Sequence, residues 1–97
     1  MPTYIILHKW TEEGIKTVKD TPQRVERARN SLKSLGAELK AIYFTFGKYD
    51  IISIVEAPSD EANAKAQLAA ESHGMLRTET LKAFTEAEFY EILKGLP

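Results

Sequence analysis

The chain has 97 residues, of which 43% are hydrophobic and 28% charged, a composition of a single soluble globular domain and not of a disordered chain. Thirteen Lys and Arg against 14 Asp and Glu give a net charge of −1, so no global basic field draws the chain to nucleic acid. Cysteine is absent, which excludes disulfides, thiolate metal sites and thiol nucleophiles together. No apolar run approaches a membrane span. No basic leader precedes the strand-like sequence that starts at Thr3, so a cytoplasmic product is the expectation. The charge is unevenly spread: residues 1–48 hold nine Lys and Arg against five Asp and Glu, residues 49–97 four against nine. A set of solvated helix faces accounts for that dipole most simply, although self-association could also use it.

In chain order, Thr3 to Trp10 reads as a strand, short and rich in β-branched and aromatic residues. Tyr4, Ile6, His8 and Trp10 share one face; Ile5, Leu7 and Lys9 share the other. Both faces are mostly apolar, as in a central strand covered on each side. Residues 13–20 predict only an irregular or one-turn segment, because Gly14 and dense charge oppose a helix. A stronger helix follows, with Thr21 as its expected cap, Pro22 in its first turn, and Val25, Ala28, Leu32 and Leu35 at helical spacing. Gly36 supplies its stop.

Two strands, Ala37 to Phe46 and Tyr49 to Ala57, flank Gly47-Lys48, which predicts a two-residue hairpin turn. That register pairs Phe46 with Tyr49, Thr45 with Asp50, Phe44 with Ile51 and Tyr43 with Ile52. One hairpin face then holds Ile42, Phe44, Ile51, Ser53 and Val55; the other holds Leu39, Ala41, Tyr43, Asp50, Ile52 and Ile54. Pro58 ends the second of these strands, and Ser59 caps an alanine-rich helix that stops at Ser72-His73-Gly74. A fourth strand is expected from Met75 to Ala83. Thr85 and Glu88 then form a capping box for a last helix reaching Lys94. The order strand, helix, strand, strand, helix, strand, helix is the ferredoxin-like split βαβ arrangement of the α+β class, with an added C-terminal helix. Right-handed crossovers put its antiparallel sheet in the spatial order 4-1-3-2. Two helices cover one sheet face, and a second copy packed sheet to sheet is the simplest cover for the other.

In that order His8, Lys9, Trp10, Thr45, Asp50 and Arg77 gather at one sheet end, with Tyr43 slightly deeper. Asp50 either accepts hydrogen bonds from the turn and pairs with Lys9 or Arg77, or acts as a general base. His8 is either a proton carrier or a half-buried imidazole, and His73 fits a helix C-terminus. Tyr43 and Trp10 either wall a planar ligand or pack. Glu56 lies at the far end of its strand from Asp50, which opposes a paired-carboxylate mechanism. The two histidines lack metal-ligand spacing, so no metal or other cofactor is expected. An RNA-recognition role fails on the third strand, which lacks the basic-glycine-aromatic pattern that stacks bases.

Lys9-Trp10-Thr11 with Gly14, the Gly47-Lys48-Tyr49-Asp50 turn, Glu56-Ala57-Pro58, and Arg77-Thr78 with Ala83-Phe84-Thr85 resemble the GYD-domain family almost from end to end. The resemblance implies a dimeric α+β barrel, in which two ferredoxin-like sheets face each other. That superfamily holds cofactor-independent monooxygenases, muconolactone-isomerase-like enzymes and ligand-sensing modules. Three expectations follow. The first is a homodimer binding a small apolar or aromatic molecule through Lys9, Trp10, Tyr43, Thr45, Tyr49, Asp50 and Arg77. The second is an isomerase or monooxygenase with Asp50 or His8 as proton carrier. The third is an assembly module with no pocket.

Overall fold

The computed structural model describes residues 1–97. Its elements are β1 (Thr3–Trp10), α1 (Glu12–Lys16), a 3-10 turn (Val18–Asp20), α2 (Thr21–Ser34), β2 (Glu38–Phe44), β3 (Ile51–Glu56), α3 (Asp60–Ser72), β4 (Leu76–Ala83) and α4 (Glu86–Lys94). The four strands form one antiparallel sheet in the order β2-β3-β1-β4, the ferredoxin-like order expected from the sequence. No helix is long and apolar enough to cross a membrane.

Local chemistry sets most boundaries. The Ser59 hydroxyl accepts from the Ala62 amide at 3.1 Å and starts α3. The full capping box starts α4: Thr85 Oγ1 accepts from the Glu88 amide, and the Glu88 carboxylate accepts from the Thr85 amide. After α2, Gly36 takes a φ of +75°, which turns the Ala37 amide back onto the Leu32 carbonyl at 2.8 Å. Thr21, the expected cap of α2, is instead its first helical residue, and its hydroxyl donates to the Val18 carbonyl. The preceding 3-10 turn already satisfies the local backbone, so no side-chain cap forms. Gly14 has a steric role in α1: a Cβ there would lie 2.0 Å from the Met75 carbonyl oxygen. Thr11 also joins α1 to the start of β4, its amide donating to that same Met75 carbonyl at 3.0 Å.

The hairpin keeps the expected pairing of Phe44 with Ile51 and Tyr43 with Ile52 but opens beyond it. Thr45 and Asp50 remain linked, amide to carbonyl at 2.8 Å. The expected pair of Phe46 and Tyr49 does not form, and Phe46 stands wholly in solvent. The Thr45 hydroxyl donates to the Tyr49 carbonyl at 2.7 Å, closing a wider loop than the two-residue turn predicted. A register shift between Leu39 and Ala41 corrects a second expectation. Leu39 pairs with Val55 and packs on the helix-side core, not on the face of Ala41 and Tyr43.

The core lies on the helix side and toward one end of the sheet. Tyr4, Ile6 and Val55 are nearly inaccessible, and Leu32, Ala37, Ala57, Ala62 and Ala66 pack with them. Alanines let α3 approach the strands closely. The Tyr4 hydroxyl donates to Asp60, which also pairs with Lys82 at 3.2 Å. Burial and that acidic partner push the Tyr4 pKa up to about 12. Ile5, Leu7, Ile52 and Ile54 line the opposite face and remain half-buried, while Tyr43 is 61% exposed. Ile6 has no exposed surface, so Ile6→Ala is expected to cost about 2–5 kcal/mol in urea unfolding with the slope unchanged. A cost below about 1 kcal/mol would contradict this placement of the core.

Candidate functional site

The core does not extend along the whole helix side. At the other end of the sheet, α2 and α3 leave a cleft of about 650 Å³ above the strands. Alternation along β1 and β3 puts His8, Trp10, Ile51 and Ser53 on its floor. Val25 and Leu32 of α2 and Ala70 of α3 form the sides, and Met75 and Leu76 close one end. The volume is within the usual range for a small-molecule site, roughly 300–1,000 Å³, and the walls are predominantly apolar.

One polar pair stands on the floor. His8 Nε2 lies 2.9 Å from the Ser53 hydroxyl, and Ser53 is only 4% exposed. Burial pushes the imidazole pKa down to about 4, because the charged ring would lose its hydration. His8 is therefore neutral at pH 7. Its Nδ1 is buried and has no hydrogen-bond partner. A neutral imidazole has one donor and one acceptor nitrogen, so Nδ1 offers whichever role Nε2 does not take toward Ser53.

The other residues singled out in the sequence lie elsewhere. Lys9 and Arg77 are opposite each other in the β1–β4 register and belong, with Tyr43, to the sheet face away from the helices. The Tyr49 hydroxyl donates to Glu79 at 2.8 Å, which raises the pKa of the phenol. Asp50 is committed to the backbone: its carboxylate accepts from the Trp10 amide at 2.9 Å, and its own amide donates to the His8 carbonyl at 2.9 Å. Lys9 Nζ lies 3.9 Å from the same carboxylate. Thus His8 and Trp10 line the cleft, whereas Lys9, Tyr43, Thr45, Tyr49, Asp50 and Arg77 do not, Asp50 and Thr45 serving the strand end and loop through backbone contacts. Ser53 is a cleft residue that the sequence pattern alone does not single out. Its signal was present, as the one hydroxyl on the apolar β3 face directed toward the His8 side of β1.

The family model for the GYD domain matches residues 4–93. This chain belongs to the GYD-domain family. A Thermus thermophilus relative, named glutamine synthetase and cystathionine β-lyase binding protein, is 34% identical to this chain over 95 residues. The alignment covers 97% of this chain and 100% of that relative. Among solved structures, MtbAldR superposes with a TM-score of 0.68 at 15% identity, covering 88% of this chain and 54% of that one. TTHA0845 of Thermus thermophilus superposes with a TM-score of 0.54 at 23% identity, covering 88% and 95%. These two likenesses concern the fold alone.

The geometry gives the GYD turn a physical task in this protein. Tyr49 offers its carbonyl to Thr45, while Asp50 binds the end of β1 through both its carboxylate and its amide. The turn thereby fixes the strand end that carries His8 and Trp10. The depressed His8 pKa also has a measurable consequence. Unfolded His8 takes up a proton near its ordinary 6.5, whereas the folded protein resists protonation down to about 4. Stability should therefore fall by roughly 3 kcal/mol as pH drops across that window, and His8→Phe should flatten the slope. Urea midpoints measured between pH 7 and 4.5 check this; an equal slope in the variant would contradict the burial of a neutral ring.

Proposed function

We propose that this GYD-domain protein is a homodimeric binding protein that takes a small, largely apolar or aromatic molecule into the cleft between sheet and helices. The observation that carries this reading is the cleft itself, with apolar walls around one neutral, incompletely bonded His8–Ser53 pair. Apolar walls provide binding energy through lost water contact, and a lone polar pair sets orientation. The homodimer is supported by the sheet face that the helices leave open, where Ile5, Leu7, Ile52 and Ile54 adjoin Tyr43 and the exposed Leu81. A two-fold axis makes such a patch complementary to itself and removes it from water. A cytoplasmic site of action goes with this reading. The isomerase and monooxygenase alternatives gain nothing from Asp50, whose carboxylate already serves the Trp10 amide.

A second reading is association with a metabolic enzyme, favoured by the name of the Thermus thermophilus relative. Ligand binding and enzyme association are compatible, since an occupied cleft could bias the partner-binding state. Co-elution with glutamine synthetase or cystathionine β-lyase of the same source organism tests it: a shared peak supports the association, and separate peaks for both oppose it.

The ligand reading is tested with the neutral fluorophore N-phenyl-1-naphthylamine. We expect saturable binding that Ala28→Trp, which fills the cleft from α2, abolishes and that Tyr43→Ala on the open face leaves in place. Binding unaffected by Ala28→Trp would contradict a site in the cleft.

A further inference from the structure

The cleft is not electrically neutral around its mouth. Arg24 and Arg27 of α2 and His73 after α3 line it, with Asp20 as its only acidic residue. Asp20 lies 3.9 Å from Arg24, and Arg24 also donates to Thr17 and to the Gly14 carbonyl. Arg29, which does not line the cleft, pairs with Glu26 at 3.2 Å. Arg27 alone among these three arginines has no carboxylate or hydrogen-bond partner in the chain, although it borders an apolar cavity. Arg27 is exposed at the rim, and its guanidinium presents a planar fork of donors to an anion.

Resting on the small-molecule reading above, we propose that the occupant is an amphipathic organic acid. Its apolar or aromatic body lies over Ile51 and Leu32, one neutral polar group bonds the Nδ1 of His8, which is closed to water and is reached by a turn of the ring toward the cleft, and its carboxylate or sulfonate meets Arg27. Each contact answers a feature left unsatisfied in the chain: an orphaned buried nitrogen on the floor, apolar walls, and an uncompensated cation at the rim. Because His8 is neutral, the floor favours a hydrogen-bonding group and not a second charge. Polyanions such as nucleotides fit poorly, since one free guanidinium and apolar walls cannot satisfy several phosphates.

Two probes that share one aromatic amine body separate these contributions: N-phenyl-1-naphthylamine and its sulfonated counterpart, 8-anilinonaphthalene-1-sulfonate. Arg27→Gln is expected to weaken the sulfonate probe tenfold or more while changing the neutral probe less than twofold. His8→Phe is expected to weaken both by a similar factor of at least three, because the amine is common to both. Equal effects of Arg27→Gln on the two probes, or none on either, overturn the anion assignment while the cleft reading stands. Unchanged or tighter binding in His8→Phe overturns the floor contact. If Ala28→Trp displaces neither probe, the underlying small-molecule reading fails as well.

Discussion

A strand that is apolar on both faces must be covered twice, and this chain has helices enough to cover it once. β1 alternates Tyr4, Ile6, His8 and Trp10 toward α2 and α3 with Ile5, Leu7 and Lys9 toward the other side. The first set includes two of the most deeply buried residues of the molecule; in the second, Ile5 and Leu7 are only half-buried and Lys9 is exposed. The difference comes from topology. Both right-handed crossovers of the split βαβ order place their helices on the same side of the sheet. Burial of apolar area is the largest favourable term in folding, so the uncovered face leaves a demand in the structure, alongside the exposed apolar residues of α4.

The covered face is itself filled unevenly, and the proposed binding cleft follows from that. Alanines at 62 and 66 bring α3 down onto Tyr4 and Val55, where packing is tight. Toward the Trp10 end, α2 and α3 leave space above the sheet, and the strands place His8 and Ser53 beneath it. Asp50 prevents that strand end from fraying by holding the Trp10 amide and reaching the His8 carbonyl. Rigid strands carrying a few polar groups under an apolar roof are a suitable platform for holding a ligand in one orientation.

Much of this architecture is legible in the sequence. Ser59, Thr85 and Glu88 announced their helix starts because capping is local chemistry, and the element order alone fixed the sheet order. What sequence could not show was geometry set by contacts distant along the chain. The register shift after Leu39 moves that side chain to the core face, and nothing in Glu38-Leu39-Lys40-Ala41 announces it. Thr21 resembles a cap, yet a 3-10 turn ahead of it had already taken that role. The candidate site was legible as a location and less so as a set of side chains. The register brings these residues to the Trp10 end, but alternation distributes them to both sides of the sheet. His8 and Trp10 enter the cleft, while Lys9 and Arg77 face away. Ser53 emerges only when β3 is laid beside β1 and the helices are known to stack above that face.

The demand of the open face is tested most directly by sedimentation equilibrium across micromolar concentrations. We expect a particle of twice the 10.9 kDa chain mass, reduced to a single chain by Ile54→Glu. A folded wild-type chain that remains at 10.9 kDa throughout would contradict it.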